Sequence, residues 1–234
     1  MIRNERAAAA DLPAALLWDM DGTILDTEPI WDVAMESLAG RHGVEMTPEL
    51  RLATLGNNAV DALTKVYDAA RLPESGRDFD GDEAWMVALV ADLFTAELPW
   101  RPGARQTLDL AASADIPMLL VTNTQREIAD VAIDTIGVER FLTTVCGDEV
   151  AVGKPAPDIY LRAAELAGAH PHDCLAIEDS PTGAAASHAA GVPTLVVPSQ
   201  VPVPAASKRT FRDTLAGLTL PELAADFARA SSAR

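Results

Sequence analysis

Short apolar runs alternate with amphipathic helical stretches along most of this chain. The runs are continuously apolar, as in strands that are covered on both faces. They are AALLW (14–18), PMLLV (117–121), FLTTVC (141–146), CLAI (174–177) and PTLVV (193–197). The helical stretches REIADVAIDTIG, PDIYLRAAELAG and PTGAAASHAAG each end at a glycine, a common helix stop. This alternation predicts an α/β fold with a Rossmann-like, doubly wound parallel sheet, in which ligands bind at the carboxyl ends of the strands.

One long interval breaks the alternation. Between residues 29 and 98 only helical patterning is found, with apolar positions recurring at helical spacing. The interval begins soon after the first predicted strand and ends just before a Pro-Gly turn at 102–103. We therefore predict an all-helical cap domain at 29–98, inserted into a core domain that is formed by residues 1–28 and 99–234.

The composition is that of a folded domain with an acidic surface. Of the 234 residues 49% are hydrophobic and 23% are charged, and the formal net charge is −17. This charge argues against a nucleic-acid partner and against an anionic membrane surface. No segment is long enough to span a bilayer, and the four-alanine run near the start is too short for a signal peptide, so we expect a cytoplasmic protein. The sequence indicates no obligate protein partner. Cys146 and Cys174 lie in apolar runs and are expected to be buried small residues.

Two aspartates follow the first apolar run, one residue apart, in LLWDMDGTILDTEPIW (16–31). Asp19 is expected at the carboxyl end of the strand, and Asp21, two residues further on, can face the same cavity. Two carboxylates that share one site require a cation or a shared proton. Hard oxygen ligands favour Mg²⁺, which leaves room for phosphate oxygens in its coordination shell. The pair therefore predicts a Mg²⁺ site that also takes a phosphate.

Polar residues follow three other predicted strands as well. Thr122, in LLVTNT, stands just before a helix, where a hydroxyl and free backbone N–H groups favour a phosphate. Lys154, in GDEVAVGKPAPDIY, supplies the local positive charge that an acidic chain needs to bind an anion. Glu178 and Asp179, in LAIEDSPTG, add hard oxygen ligands. Each of these alone is more often a helix cap or a surface residue, but together, at strand ends of one parallel sheet, they predict one site.

The segments DMDGTILD, VTNT, VGKPAPDIY and IEDSPTGAAASHAAG resemble, in this order, the four motifs of the haloacid dehalogenase superfamily of phosphotransferases. The resemblance runs from about residue 16 to residue 197. The position of the cap, the segment DTEPIW and the Glu-Asp form of the last motif resemble the subgroup of beta-phosphoglucomutase and small sugar-phosphate phosphatases. Within it, TEPIWDVAMESL and TLGNNAVDALTKVY are most similar to phosphatases of hexose and hexitol phosphates.

The resemblance implies a role for each motif residue. Asp19 would be the nucleophile that forms an aspartyl-phosphate, and Asp21 the general acid and then the base. Thr122 and Lys154 would hold the phosphoryl oxygens. The implied Mg²⁺ ligands are Asp19, the backbone carbonyl of Asp21, Glu178 and Asp179. The residues expected to contact the substrate, beside Thr122 and Lys154, are Asn123, Glu28, Gly56, Asn57 and Asn58.

The favoured function is Mg²⁺-dependent hydrolysis of a small phosphorylated metabolite, a sugar or polyol phosphate. A beta-phosphoglucomutase activity is the main alternative, but it needs a cationic group in the cap for a second phosphate. The GNNAVDAL turn carries none, and the sequence assigns no role to Arg41 or Arg51. A dehalogenase has no use for Asp21, and a phosphonate hydrolase needs a cap lysine, whereas Lys65 is expected on a solvated helix surface. A catalytically silent phospho-ligand scaffold is disfavoured because every catalytic position carries the required residue type.

Overall fold

A single parallel sheet forms the core of the computed structural model, which describes residues 12–55, 57–94 and 98–232. The six strands lie in the order β3–β2–β1–β4–β5–β6. Their bounds are β1 (Ala15–Trp18), β2 (Met118–Val121), β3 (Thr143–Val145), β4 (Cys174–Glu178), β5 (Thr194–Val196) and β6 (Arg209–Phe211). All paired strands are parallel, and the strand order reverses direction at β1. This is the arrangement of a doubly wound sheet, so the predicted fold class is confirmed.

The first five strands fall within the five predicted apolar runs, apart from one residue at the end of β4, whereas β6 was not predicted from the sequence. In β6 only Thr210 is buried, and Phe211 is largely exposed. A strand at the edge of the sheet with one buried residue has no continuous apolar run. The hydrophobic pattern of β6 therefore does not predict a strand.

The described residues contain nine α-helices. They are α1 (Glu28–Arg41), α2 (Pro48–Thr54), α3 (Ala59–Ala69), α4 (Phe79–Leu93), α5 (Ala104–Ser113), α6 (Arg126–Ile136), α7 (Asp158–Leu166), α8 (Pro181–Ala189) and α9 (Leu220–Ser232). Alternate residues of β1 belong to separate apolar clusters, since Leu16 and Trp18 pack in one and Ala15 and Leu17 in the other. The sheet is thus covered on both faces, which is why its strands are continuously apolar.

Helices α1 to α4 occupy the interval where only helical patterning was predicted. Helix α1 packs against α4, α2 against α3, and α3 against α4. Their buried apolar side chains, including Leu38, Leu63 and Val90, belong to the same cluster as one face of the sheet. The first helix begins at Glu28, one residue before the predicted start of the cap, and the division into a core domain and a cap domain stays a prediction.

The two chain segments that lead into and out of these helices lie side by side. The backbone N–H of Asp26 donates to the carbonyl oxygen of Pro99 over 2.8 Å, and that of Arg101 donates to the carbonyl oxygen of Ile24 over 2.8 Å. These hydrogen bonds place the start of α1 directly beside the turn that follows β1.

The described part of the chain has no membrane-spanning helix and contains two buried cysteines. Among the described residues no helix has the length and apolar character to cross a membrane. Cys146 and Cys174 are fully buried, and burial raises the pKa of their thiols to about 12 and about 11. Both cysteines are therefore buried small residues, as predicted.

Candidate active site

Lys154 is the central charge of the site. Its Nζ donates to Asp19 Oδ1 over 2.6 Å, to Glu178 Oε1 over 2.7 Å and to the carbonyl oxygen of Val121 over 2.9 Å. The residue is only 3% exposed. Burial lowers the pKa of the Lys154 ammonium, but the charges of Asp19 and Glu178 outweigh that effect and hold the pKa above its ordinary value. The ammonium is therefore charged, and it supplies the local positive charge that the acidic chain was predicted to need.

Asn123 holds the loop that carries this lysine. Its side-chain Oδ1 accepts a hydrogen bond from the backbone N–H of Lys154 over 2.7 Å, and its Nδ2 donates to the Lys154 carbonyl oxygen over 3.0 Å. Asn123 also lines the cavity described below. The residue that was predicted to contact the substrate thus also fixes the backbone of Lys154.

Three carboxylates form a compact buried group at the ends of β1 and β4. Asp19, Glu178 and Asp179 each offer one oxygen, and these oxygens lie within 4.8 Å of one another. Burial, followed by the charge of Glu178, raises the pKa of Asp19 to about 7 against the opposing effect of Lys154. Burial and the charge of Asp19 raise the pKa of Asp179 well above its ordinary value. The single positive charge of Lys154 therefore does not neutralise the three carboxylates.

This group fits a hard divalent cation. Asp19 Oδ2 is buried and has no hydrogen-bond partner among the described residues, although Asp19 Oδ1 is bound by Lys154. Buried carboxylate oxygens without donors are costly unless a cation or a proton compensates them. Oxygen-only ligands of this kind suit Mg²⁺. The residues present therefore fit the predicted metal.

Two glycines allow the carboxylates to approach the backbone closely. Gly22 has φ of +76°, and a Cβ there would overlap the carboxylate of Asp179. A Cβ on Gly183, in the first turn of α8, would overlap the carboxylate of Glu178. The close approach of these two glycines to the carboxylates of Asp179 and Glu178 was not predicted from the sequence.

Asp21 lies apart from the three-carboxylate group and is held by four donors. Its Oδ1 accepts from Thr27 Oγ1 over 2.6 Å and from Trp31 Nε1 over 3.0 Å. Its Oδ2 accepts from Thr124 Oγ1 over 2.6 Å and from Thr122 Oγ1 over 3.2 Å. Two of the donors come from the start of α1 and two come from the loop after β2. Ligation of Mg²⁺ by the Asp21 backbone carbonyl stays a prediction.

A cavity of about 110 Å³, partly open to solvent, connects these residues with the helices α1 to α4. Its core side is lined by Asp19, Asp21, Thr122, Asn123, Thr124, Gln125, Ile128, Lys154 and Ser180. Its helical side is lined by Glu28, Trp31, Met35, Arg51, Thr54, Asn57, Asn58, Ala59, Ala62, Glu83, Met86 and Val87. Gln125 at the start of α6 donates a hydrogen bond to Glu83 of α4 across the cavity. The structure thus brings the predicted phosphate residues and cap residues to one chamber.

The predicted cap residues Asn57 and Asn58 line this chamber, but both amides already have hydrogen bonds within the cap. Asn58 Oδ1 accepts from the backbone N–H of Asp61 over 2.9 Å and so caps α3. Asn57 Oδ1 accepts from Lys65 Nζ over 2.9 Å, and Asn57 Nδ2 donates to the carbonyl oxygen of Ala53 over 2.8 Å. Lys65 therefore supports the turn that holds Asn57. The third predicted cap residue, Gly56, lies outside the described residues.

Glu28 lines the chamber as predicted, and it is paired with a residue to which the sequence assigned no role. Arg51 Nη2 donates to Glu28 Oε2 over 3.0 Å, and Arg51 Nε donates to Asp32 Oδ1 over 2.6 Å. The side chains of Arg51 and Glu28 are 15% and 13% exposed. Burial raises the pKa of Glu28 to about 7, with Arg51 opposing the rise and Asp21 adding to it.

Sequence reasoning missed several residues that hold the predicted ones. Tyr160 donates its hydroxyl to Glu178 Oε1 over 2.5 Å, and Ser199 donates to Asp179 Oδ2. Tyr160 belongs to the quoted GKPAPDIY segment, which was the available signal. Ser199 follows β5 in a loop without any pattern, so nothing in the sequence pointed to it. Trp31 packs against the apolar cluster that includes the cap helices, and its indole N–H also donates to Asp21, a contact that the sequence did not predict.

Comparison with known proteins places this site in a family. The model of the haloacid dehalogenase-like hydrolases matches residues 13–191. The chain is also 31% identical over 189 residues to hexitol phosphatase A of Escherichia coli, which covers 80% of this chain and 84% of that protein. The chain therefore belongs to the haloacid dehalogenase-like hydrolases, and the resemblance found in the sequence motifs is confirmed.

Other relatives agree with this assignment, and a solved structure shares the fold. The phosphorylated carbohydrates phosphatase of Thermotoga maritima is 29% identical over 179 residues, which cover 76% of this chain and 82% of that protein. The bifunctional riboflavin kinase/FMN phosphatase of Arabidopsis thaliana is 30% identical over 190 residues, 80% of this chain but only 49% of that longer protein. The crystal structure of CbbY from Rhodobacter sphaeroides in complex with phosphate superimposes with a TM-score of 0.78 at 24% identity, covering 91% and 99% of the two chains. This likeness shows that the two proteins share a fold.

Proposed function

We propose that this chain is a Mg²⁺-dependent phosphatase that hydrolyses a small phosphorylated sugar or polyol through an aspartyl-phosphate on Asp19. The observation that carries the proposal is the buried pairing of Asp19 with Lys154, which both line the cavity, beside Glu178 and Asp179. The printed names of two relatives, hexitol phosphatase A and phosphorylated carbohydrates phosphatase, support the substrate class. Location in the cytoplasm and the lack of a protein partner stay predictions from the sequence.

In the first step a carboxylate oxygen of Asp19 attacks phosphorus. The new Asp19–phosphorus bond forms while the bond between phosphorus and the substrate oxygen breaks. Lys154 and Thr122 hold the phosphoryl oxygens, and Lys154 remains in place because Asn123 fixes its backbone. Mg²⁺ held by Asp19, Asp179 and the Asp21 carbonyl, with Glu178 in support, would offset the negative charge of the reacting groups.

Asp21 carries the proton in both steps. As an acid it gives a proton to the leaving alcohol oxygen, and as a base it then takes a proton from the water that attacks the phospho-enzyme. That second attack releases phosphate and restores the Asp19 carboxylate. The donors from α1 and from the loop after β2 fix the Asp21 carboxyl at the boundary between core and cap. Its position therefore depends on both parts of the molecule.

Phosphate release from a panel of sugar, polyol and nucleotide monophosphates tests the proposal, with each substrate measured in Mg²⁺ and in chelator. We expect metal-dependent release from hexose or hexitol phosphates. Release that is equally fast in chelator would contradict the metal requirement. No release from any substrate would favour the mutase, which produces no net phosphate, or a silent scaffold.

A further inference from the structure

The far side of the cavity contains very little positive charge. Among the described residues, two basic side chains line the cavity, Lys154 at the phosphate end and Arg51 on the cap side. Lys154 is bound by Asp19 and Glu178 at the phosphate end. Of the lining residues that the structure describes, only Arg51 could therefore pair with a second anionic group on a ligand.

Arg51 is already neutralised by carboxylates. Its guanidinium pairs with Glu28 over 3.0 Å and with Asp32 over 2.6 Å, and Glu28 itself lines the cavity. Glu83, which also lines the cavity, adds another acidic group and is bound by the uncharged Gln125. Among the described lining residues of the cap side, two carboxylates, Glu28 and Glu83, therefore face a ligand beside one cation, Arg51. Glu28 and Arg51 have low exposure, and charges there are weakly screened.

We infer that Arg51 and Glu28 are specificity residues that admit a monophosphate whose remaining part is uncharged and bears hydroxyl groups, and that reject a second phosphate or a carboxylate. The inference rests on the proposed phosphatase function. A hydroxyl group can donate to the Glu28 carboxylate and accept from the Arg51 guanidinium, whereas a second anion would face Glu28 and Glu83. Like charges placed against each other in this way are a means of excluding the wrong ligand.

This inference also separates the two candidate reactions. A phosphosugar mutase must hold a bisphosphate with one phosphate at the nucleophile and the other at the cap. In this cavity the second phosphate would find a cation only by separating Arg51 from its two carboxylates. The Arg51–Glu28 pair therefore disfavours a bisphosphate intermediate and favours hydrolysis.

The test compares kcat/KM for a hexitol 6-phosphate, a hexose 1,6-bisphosphate and phosphoglycolate in the wild type and in variants. Glu28→Gln keeps the shape of the side chain and leaves Arg51 less neutralised. We expect it to raise kcat/KM for the bisphosphate relative to the hexitol phosphate by about tenfold, or about 1.4 kcal/mol, mainly through KM. Arg51→Gln should raise KM for the hexitol phosphate without any gain for the bisphosphate. Glu36→Gln, an exposed residue of α1 outside the cavity lining, is the matched control.

Two results would overturn the inference. They are a wild type that processes the bisphosphate as well as the hexitol phosphate, and an unchanged selectivity ratio in a folded Glu28→Gln variant. If the wild type releases no phosphate at all, the proposed function fails separately. Binding of the hexitol phosphate and of the bisphosphate to Asp19→Asn, measured by calorimetry, then decides the selectivity without turnover, and equal affinities would overturn it.

Discussion

At the scale of single residues, the site depends on one ammonium group, that of Lys154, which forms ion pairs with two buried carboxylates. Lys154 lies between Asp19 and Glu178, and both partners are almost fully buried. A buried ion pair adds little net stability compared with apolar residues, but removing one partner leaves the other charge uncompensated. Because two carboxylates share this ammonium, loss of Lys154 leaves both of them uncompensated, whereas loss of Asp19 leaves Lys154 paired with Glu178.

Lys154→Met should show this dependence in the free energy of unfolding. The variant leaves Asp19 and Glu178 without a counter-charge, so we expect a loss of about 3–5 kcal/mol in denaturant unfolding without Mg²⁺, together with a loss of turnover. Lys65→Met is the control, because Lys65 makes hydrogen bonds near the surface of the cap. A Lys154→Met variant as stable as the control would contradict the role of the ion pairs.

Asp19→Asn should abolish turnover without lowering stability, in contrast to Lys154→Met, which should lower both. It removes the nucleophile, so turnover should fall by about a thousandfold or more. It also removes one of three crowded carboxylates, so the free energy of unfolding without metal should not decrease. Asp26→Asn, on the same turn but outside the cavity lining, is the control for both measurements. Substantial phosphatase activity in Asp19→Asn would contradict its assignment as nucleophile.

How far the sequence could predict the site depends on how each residue is placed. Asp19, Thr122 and Asp179 come directly after strands, and parallel strands bring their carboxyl ends to one edge, so periodicity alone brings these residues together. Thr124 and Ser199 bind Asp21 and Asp179 from loops that are far away along the chain. The conformation of a loop has no period, so such contacts could not be predicted.

At the scale of elements, the apolar pattern of the sequence predicts the buried strands well, but it predicts the packing of the cap helices poorly. Five strands could be predicted because burial on both faces makes them continuously apolar, whereas β6 at the sheet edge could not. In the cap, helical periodicity predicts that helices exist, but not that a charged residue of α4 lies at their centre. Asp82 is 3% exposed there and accepts hydrogen bonds from Arg41 Nε over 2.8 Å, His42 Nε2 over 2.7 Å and Tyr67 OH over 2.8 Å.

Asp82 should make the stability of the cap sensitive to acid. Burial acts to raise the pKa of Asp82, but the hydrogen bonds from Tyr67, Arg41 and His42 outweigh it and lower the pKa below its ordinary value. A depressed pKa in the folded state gives stability that is present above the unfolded pKa, about 4, and is lost as the pH falls further.

We therefore expect Asp82→Asn to lose about 2–4 kcal/mol of unfolding free energy at neutral pH, and to lose less than the wild type on acidification below about pH 4. Denaturant unfolding over a pH series measures both effects. Asp80→Asn, exposed on the same helix, is the control and should change stability by less than about 1 kcal/mol. Parallel pH curves for Asp82→Asn and the wild type would contradict this linkage.

At the scale of the whole molecule, metal binding should stabilise the entire chain, since the three-carboxylate group joins the ends of β1 and β4 at the centre of the sheet. A ligand that binds only the folded state raises its stability, by about 2.7 kcal/mol at a hundred times its dissociation constant. We expect saturating MgCl₂ to raise the midpoint of thermal unfolding of the wild type by several degrees. Asp179→Asn should lose most of this shift, and Asp173→Asn, an exposed neighbour of β4, should retain it. Equal shifts in all three proteins would place the metal elsewhere.

The net charge of −17 acts on every anionic substrate that approaches the molecule. Two effects of salt compete here. Salt screens the acidic surface, which repels a phosphate ester, but it scarcely screens Lys154, which is buried and paired. Screening of the repulsive acidic surface should therefore be the larger effect. We expect kcat/KM to rise by a few-fold as ionic strength increases from about 0.02 M to about 0.2 M. The value of kcat at saturating Mg²⁺ and substrate should stay constant. Steady-state phosphate release in NaCl and in KCl measures this and separates screening from specific ion effects. A fall of kcat/KM with salt would mean that the field at the cavity mouth is positive despite the charge of the whole chain.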